Sequence, residues 1–208
     1  GKHFAGTLGD IAIFSFTPSK PMTTGEGGMI TTNNDGLADL CRKIVNFGDY
    51  GKFDNRILGF NFRMQDMNGA LGRVQLKKLP QAISERRKIG KYFTKVLKDV
   101  PGVICPIPRT DSDSNYQIFP IRLDLDTVKC SKEYFIQEMM IRGIQCRTYY
   151  PAFHNQIAFK MSKSSRDFPN VDLFEKSSFV LPLYPELSQS DQEHIVDSVS
   201  EIAHQNLS

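Results

Sequence analysis

The first thirty residues hold a group of side chains that could do covalent chemistry. An apolar, β-prone run, Ile11-Ala12-Ile13-Phe14-Ser15-Phe16, leads past Pro18 to Lys20 and then to the glycine-dense stretch Gly25-Glu26-Gly27-Gly28. A lysine ε-amine attacks an aldehyde only when it is neutral, so its pKa must fall from about 10.4 through lost hydration or a nearby cation. A lysine just after a buried strand can reach such a site. Glycines let the backbone approach a flat ring or a phosphate closely, and the Ser15 hydroxyl could meet an anion on the same loop. The same pattern also suits a surface-loop lysine beside a β-turn, with Ser15 bonded to backbone at a strand end; spacing alone does not identify a cofactor. The four cysteines, Cys41, Cys105, Cys130 and Cys146, form no Cys-x-x-Cys pair, so neither a zinc site nor a redox motif is expected. His154 sits in the loop-like stretch Tyr149-Tyr150-Pro151-Ala152-Phe153-His154-Asn155-Gln156, and a lone loop histidine is more often exposed and idle.

Alternating structural signals would position these residues. Ile11–Phe16 predicts a buried strand, and Met29-Ile30-Thr31-Thr32 a second short one. Asn34-Asp35 can cap a helix with Leu37, Leu40, Cys41, Ile44 and Val45 on one face. Residues 47–62, rich in Gly, Asn, Asp and aromatics, predict a long ordered loop. Asp66 is expected to cap a helix that Pro80 ends, Pro80 then opening another with Ile83, Ile89, Phe93, Val96 and Leu97 inward. A composition shift places a domain boundary near residue 98, giving domains 1–98 and 99–208. Beyond it, Gln117–Leu123 alternates as a half-buried strand. Ser131 opens a helix that Gly143 ends, Ile144–Tyr149 predicts another strand, and Ser188 with Asp191 opens the last helix.

The 208 residues carry a formal net charge of +3, with 40% hydrophobic and 24% charged. This is ordinary for a globular protein and too mild for nucleic-acid binding. Arg86-Arg87-Lys88 with Lys91 reads as the solvated face of a helix. No run approaches the roughly 20 apolar residues that cross a bilayer, and no secretion signal is evident; a reduced, cytoplasmic setting is the simplest reading. The chain opens Gly1-Lys2-His3-Phe4 without methionine and passes at once into a strand-like segment, so it is expected to be part of a longer protein.

Gly9-Asp10-Ile11, Phe14-Ser15-Phe16, Lys20 and Thr24-Gly25-Glu26-Gly27-Gly28-Met29 resemble the DegT/DnrJ-type (StrS-like) sugar aminotransferases, which depend on pyridoxal phosphate. The likeness continues through Asn46-Phe47-Gly48, Gly59-Phe60-Asn61-Phe62-Arg63-Met64 with Asp66, and Ala70 with Gln75-Leu76-Lys77-Lys78-Leu79. It returns at Gly143-Ile144, Tyr149-Tyr150-Pro151, His154 with Gln156, and Leu181-Pro182-Leu183-Tyr184-Pro185. Each block is weak alone; in this order, over nearly the whole chain, they are specific.

The resemblance implies the α/β fold of type I pyridoxal-phosphate-dependent transferases. The chain would hold the C-terminal part of the large mixed or parallel-sheet domain plus a small α+β domain. It implies that Lys20 holds the cofactor covalently and moves the proton during transfer, that Ser15 binds the cofactor phosphate, and that Asn61 reaches the phosphate of a neighbouring subunit in a homodimer, Phe60 and Phe62 anchoring its loop while Asn61 points out. His154 would line the substrate entrance, and Arg63 either faces substrate phosphates or packs at the helix start. The substrates implied are a nucleotide-linked keto sugar and glutamate or glutamine as amino donor. The aspartate on the pyridine nitrogen, the stacking aromatic and the main phosphate turn would lie upstream of Gly1, so these 208 residues alone are expected to be inactive. Two alternatives stand beside this reading. In the branch that dehydrates sugars with the same cofactor a histidine replaces the lysine, so Lys20 argues against it. The other is a non-catalytic regulatory or dimerisation module of the same fold.

Overall fold

The computed structural model describes residues 3–159 and 168–207; Gly1 and Lys2 of the opening segment lie outside them. The chain divides into two compact units, Gly1–Ala82 and Ile83–Ser208.

In the first unit, β1 (Ile11–Ser15) and β2 (Gly28–Thr32) pair antiparallel, Ile11 opposite Thr32 and Ser15 opposite Gly28. The loop between their paired ends carries Lys20. Helix α1 (Asp35–Val45) starts as its sequence dictates: the Asn34 side chain accepts from Leu37 N–H at 3.0 Å, satisfying one of the orphan donors of the first turn. β1 was expected to be buried. Its side chains are instead mostly exposed, Ile13 by 83%, because β2 is its sole sheet neighbour among the described residues.

Helix α2 runs unbroken from Asp66 to Leu97 with Pro80 inside it. This corrects the expectation of two helices. A proline cannot donate to the carbonyl four residues back, but Leu76 lies on an exposed stretch where water can serve that carbonyl. Asp66 is the first helical residue, where its charge suits the helix N-terminus. The division between the units falls inside this helix, between Ala82 and Ile83.

The second unit is α+β. Strands β3 (Val103–Ile104), β4 (Phe119–Leu123) and β5 (Ser178–Leu181) form an antiparallel sheet in that order. Helices α3 (Lys132–Ile141), α4 (Pro169–Ser177) and α5 (Gln189–Gln205) complete it. β4 turns Phe119, Ile121 and Leu123 into the core. There they meet Phe93 and Leu97 of α2, Phe135 and Met139 of α3, Phe179 and Leu181 of β5, and Val199 and Ile202 of α5. Phe93 sits edge-on to Phe119 at 5.3 Å between ring centroids, a favoured arrangement of aromatic quadrupoles. Gly90 is required here: a Cβ would lie 2.3 Å from the Tyr116 ring. Ser131 and Ser188 cap α3 and α5 as expected. Ile144–Tyr149 is not a strand; it touches the sheet by a single bridge, Arg147 to Val180.

Arg86 overturns the reading of its basic run as a solvated helix face. It is buried, and Nη1 donates to the carbonyls of Tyr116, Gln117 and Leu183 at 3.3, 3.3 and 2.8 Å. Burial lowers its pKa, against the field of Glu186. Arg87 is half-buried, donating to Ser114 O and paired with Asp113. Lys88 and Lys91 face solvent.

Candidate functional site

The Lys20 loop is held by its own hydroxyls and backbone. Phe16, buried, receives two bonds at its carbonyl, from Thr24 N–H at 3.0 Å and Thr23 Oγ1 at 2.9 Å, while its own N–H donates to Gly27 O at 2.9 Å. Thr24 is 3% exposed and turns Oγ1 to Glu26 O at 2.8 Å. Asn68 Nδ2 of α2 donates to the same Glu26 carbonyl at 3.0 Å. Gly27, at φ 153, leaves no room for a side chain: a Cβ would lie 2.5 Å from Thr24 Oγ1. The glycines thus let the loop fold back on itself.

On this frame Lys20 is half-buried, its N–H bonded to Thr17 O at 3.0 Å. Among the described residues its amine has no acidic partner within salt-bridge range. Ser15 is exposed at the end of β1, its hydroxyl 3.3 Å from that of Thr17. An amine without an acidic partner and, three and five residues before it, two hydroxyls in contact with each other supply a nucleophile for an aldehyde and donors for a phosphate, so the chemistry of these residues fits the cofactor that the resemblance implies.

Asn61 and Arg63 come together on the second loop of this unit. Asn61 forms a bridge with Asn46, the C-cap of α1. Arg63 Nη1 donates to Asn46 Oδ1 at 2.9 Å and Nε to Asn61 Oδ1 at 3.2 Å, with the guanidinium 5.4 Å over the Phe47 ring. Phe47 N–H bonds to Phe60 O at 3.0 Å and Phe62 N–H to Val45 O at 3.0 Å. Phe60 and Phe62 do not anchor the loop in a core. They stack on each other, centroids 5.0 Å apart, and stay exposed. Asn61 is itself exposed. Asn46, Phe47 and Thr17 were not singled out from the sequence as site residues; the paired Asn46-Phe47 and Phe60-Asn61 blocks carried the only signal.

His154 belongs to the second unit. It lies in a single 3-10 turn, Phe153–Asn155, with Nε2 2.8 Å from Asp172 Oδ1 of α4 and its ring 5.1 Å from that of Phe168. It is therefore engaged rather than idle, and Asp172 is a partner that no spacing rule would have found. Among the described residues no cluster of His, Cys, Asp and Glu could hold a metal, and no helix is long and apolar enough to cross a membrane.

Comparison with known proteins bears on this arrangement. The model of the DegT/DnrJ/EryC1/StrS aminotransferase family matches residues 1–200. The chain belongs to this family. It is 31% identical to the pleiotropic regulatory protein of Geobacillus stearothermophilus, over 94% of this chain and 52% of that protein. It is 29% identical to dTDP-4-dehydro-2,3,6-trideoxy-D-glucose 4-aminotransferase of Saccharopolyspora spinosa, over 98% and 55%. The crystal structure of the aminotransferase TlmJ from Streptoalloteichus hindustanus superposes with a TM-score of 0.87 at 26% identity, covering 98% of this chain and 55% of that one. The expected fold, the C-terminal part of the DegT-type aminotransferase architecture, is therefore the fold observed. The chain spans about half the length of the curated relatives it matches.

Proposed function

We propose that the whole protein is a pyridoxal-phosphate-dependent aminotransferase acting on a nucleotide-linked keto sugar, with glutamate or glutamine as donor. It would work as a homodimer in the cytoplasm. The observation that carries this reading is the half-buried Lys20 without an acidic partner, on a folded-back loop that follows the paired Ser15 and Thr17 hydroxyls, in a member of a sugar aminotransferase family. Lys20 would hold the cofactor through Nζ, and Ser15 would donate its hydroxyl to the phosphate. Asn61 would donate to the phosphate in the neighbouring subunit. When bound, the cofactor supplies the electron sink that makes a C–H bond beside the amine acidic. Lys20 Nζ, freed, is the base that moves the proton at that carbon. His154, held by Asp172, would face the sugar substrate.

Two mutants test this together. In the full-length protein, Lys20→Ala should lower amino transfer from glutamate or glutamine to a nucleotide-linked keto sugar by at least about a thousandfold, the scale of a lost proton-transfer group. Mixing Lys20→Ala with Asn61→Ala subunits should restore part of the activity, since one site of the mixed dimer regains both residues. A mixture as inactive as its parents rejects the shared site, and an unaffected Lys20→Ala rejects the reaction.

A second reading, a regulatory or dimerisation module, is supported by the name of the 31% identical Geobacillus relative. Under it the full-length protein would dimerise normally yet transfer no amino group.

A further inference from the structure

Arg63 has a better-defined position than its exposure suggests. Its guanidinium is fixed on three sides, by Asn46 Oδ1 at 2.9 Å, by Asn61 Oδ1 at 3.2 Å and by the face of Phe47. Phe47 is itself locked in the left-handed region at φ 60, with its N–H on Phe60 O and its carbonyl accepting from Asn55 Nδ2 at 2.8 Å. The chemistry of this contact decides which way Asn61 faces. A guanidinium has only N–H donors and no acceptor. The Asn61 amide must therefore turn its oxygen to Arg63, and the group left for a ligand is the NH2, a pure donor. The terminal amide torsion of asparagine is otherwise broad and close to two-fold, so without Arg63 both orientations are open.

We propose that Arg63 is a positioning residue acting through Asn61: it holds the carboxamide oxygen so that the NH2 is presented to an anionic phosphate oxygen. Asn46 serves the same end by fixing the other side of the guanidinium. The inference rests on the reading of Asn61 as a phosphate-binding residue. It assigns Arg63 no substrate of its own.

The test uses cofactor binding rather than turnover. The full-length apoprotein is titrated by absorbance with pyridoxal phosphate and with pyridoxal, which lacks the phosphate. Arg63→Ala should weaken the phosphate form roughly five- to tenfold, a part of one hydrogen bond to a charged group. It should leave pyridoxal binding unchanged. In an Asn61→Ala background the same change should add nothing, because a residue that acts through another shows full coupling in a double-mutant cycle. Asn46→Ala, which leaves Arg63 in place, should give a smaller loss with the same dependence on Asn61, and it serves where Arg63→Ala does not fold. Additive losses, or an equal loss with pyridoxal, would overturn the proposal. An Asn61→Ala protein that binds both compounds like the wild type would instead remove the phosphate reading of Asn61, and this inference with it.

Discussion

Phe14 and Phe179 both sit on short strands, β1 and β5, yet Phe14 is 40% exposed and Phe179 fully buried. The same contrast runs through the two units. Among the described residues, Phe16 is the one hydrophobic side chain of the first unit that is buried, while the second unit closes Phe93, Phe119, Phe135 and Phe179 into a continuous core. The first unit nevertheless carries Lys20, Ser15, Asn61 and Arg63. Its order comes from hydrogen bonds: threonine hydroxyls in the lysine loop, and asparagine and arginine side chains in the aromatic loop. Reactive groups on a loop held by polar bonds remain reachable, whereas a packed core supplies stability but no access.

Replacement of a core aromatic should expose the difference most strongly. Phe179→Ala should cost about 3–5 kcal/mol in urea unfolding of the second unit, while Phe53→Ala, at a side chain 94% exposed, should stay within about 0.5 kcal/mol. Equal losses at the two sites would break the comparison.

Arg86→Ala should come next, at about 1–3 kcal/mol, since it strips three carbonyls of their donor. A silent substitution would mean that water replaces the guanidinium without cost.

The smallest effect concerns pH. Burial pushes the Cys105 thiol up to about 11 and Cys146 to about 12, whereas an unfolded cysteine ionises near 8.5. The folded values are raised, so the stability they confer is complete below the unfolded value. It is lost as pH climbs from about 8.5 towards the folded values, because the unfolded chain then releases protons that the native one keeps. Cys146→Ala should remove part of this slope, on the order of 1 kcal/mol per pH unit, in urea midpoints measured at pH 8, 9 and 10. An unchanged slope would place the titration elsewhere.

Much of this was legible in the sequence because it is local. Asn34, Ser131 and Ser188 cap helices through their own side chains, and the alternation of Phe119–Leu123 reports one buried face. What was misread depends on distant residues. Arg86 looks like its neighbour Lys88, but carbonyls far along the chain surround it. The strand Ile11–Ser15 has a buried strand's composition without a buried strand's neighbours. Pro80 reads as a break, yet α2 continues through it. α4 and β5 escaped because a nine-residue helix and a four-residue strand are too short to show a period. For the site, family blocks pointed to Lys20, Ser15, Asn61, Arg63 and His154. The hydrogen bonds tying Arg63 to Asn46 and His154 to Asp172 have no sequence signature.

The assignment of Lys20 as the cofactor-bearing residue is tested most directly by chemical trapping. The full-length protein is incubated with pyridoxal phosphate, reduced with borohydride, digested and mapped by mass spectrometry. One dominant adduct is expected, on the peptide containing Lys20, and it should be lost in Lys20→Ala. An adduct centred on another lysine, or none at saturating cofactor, would contradict it.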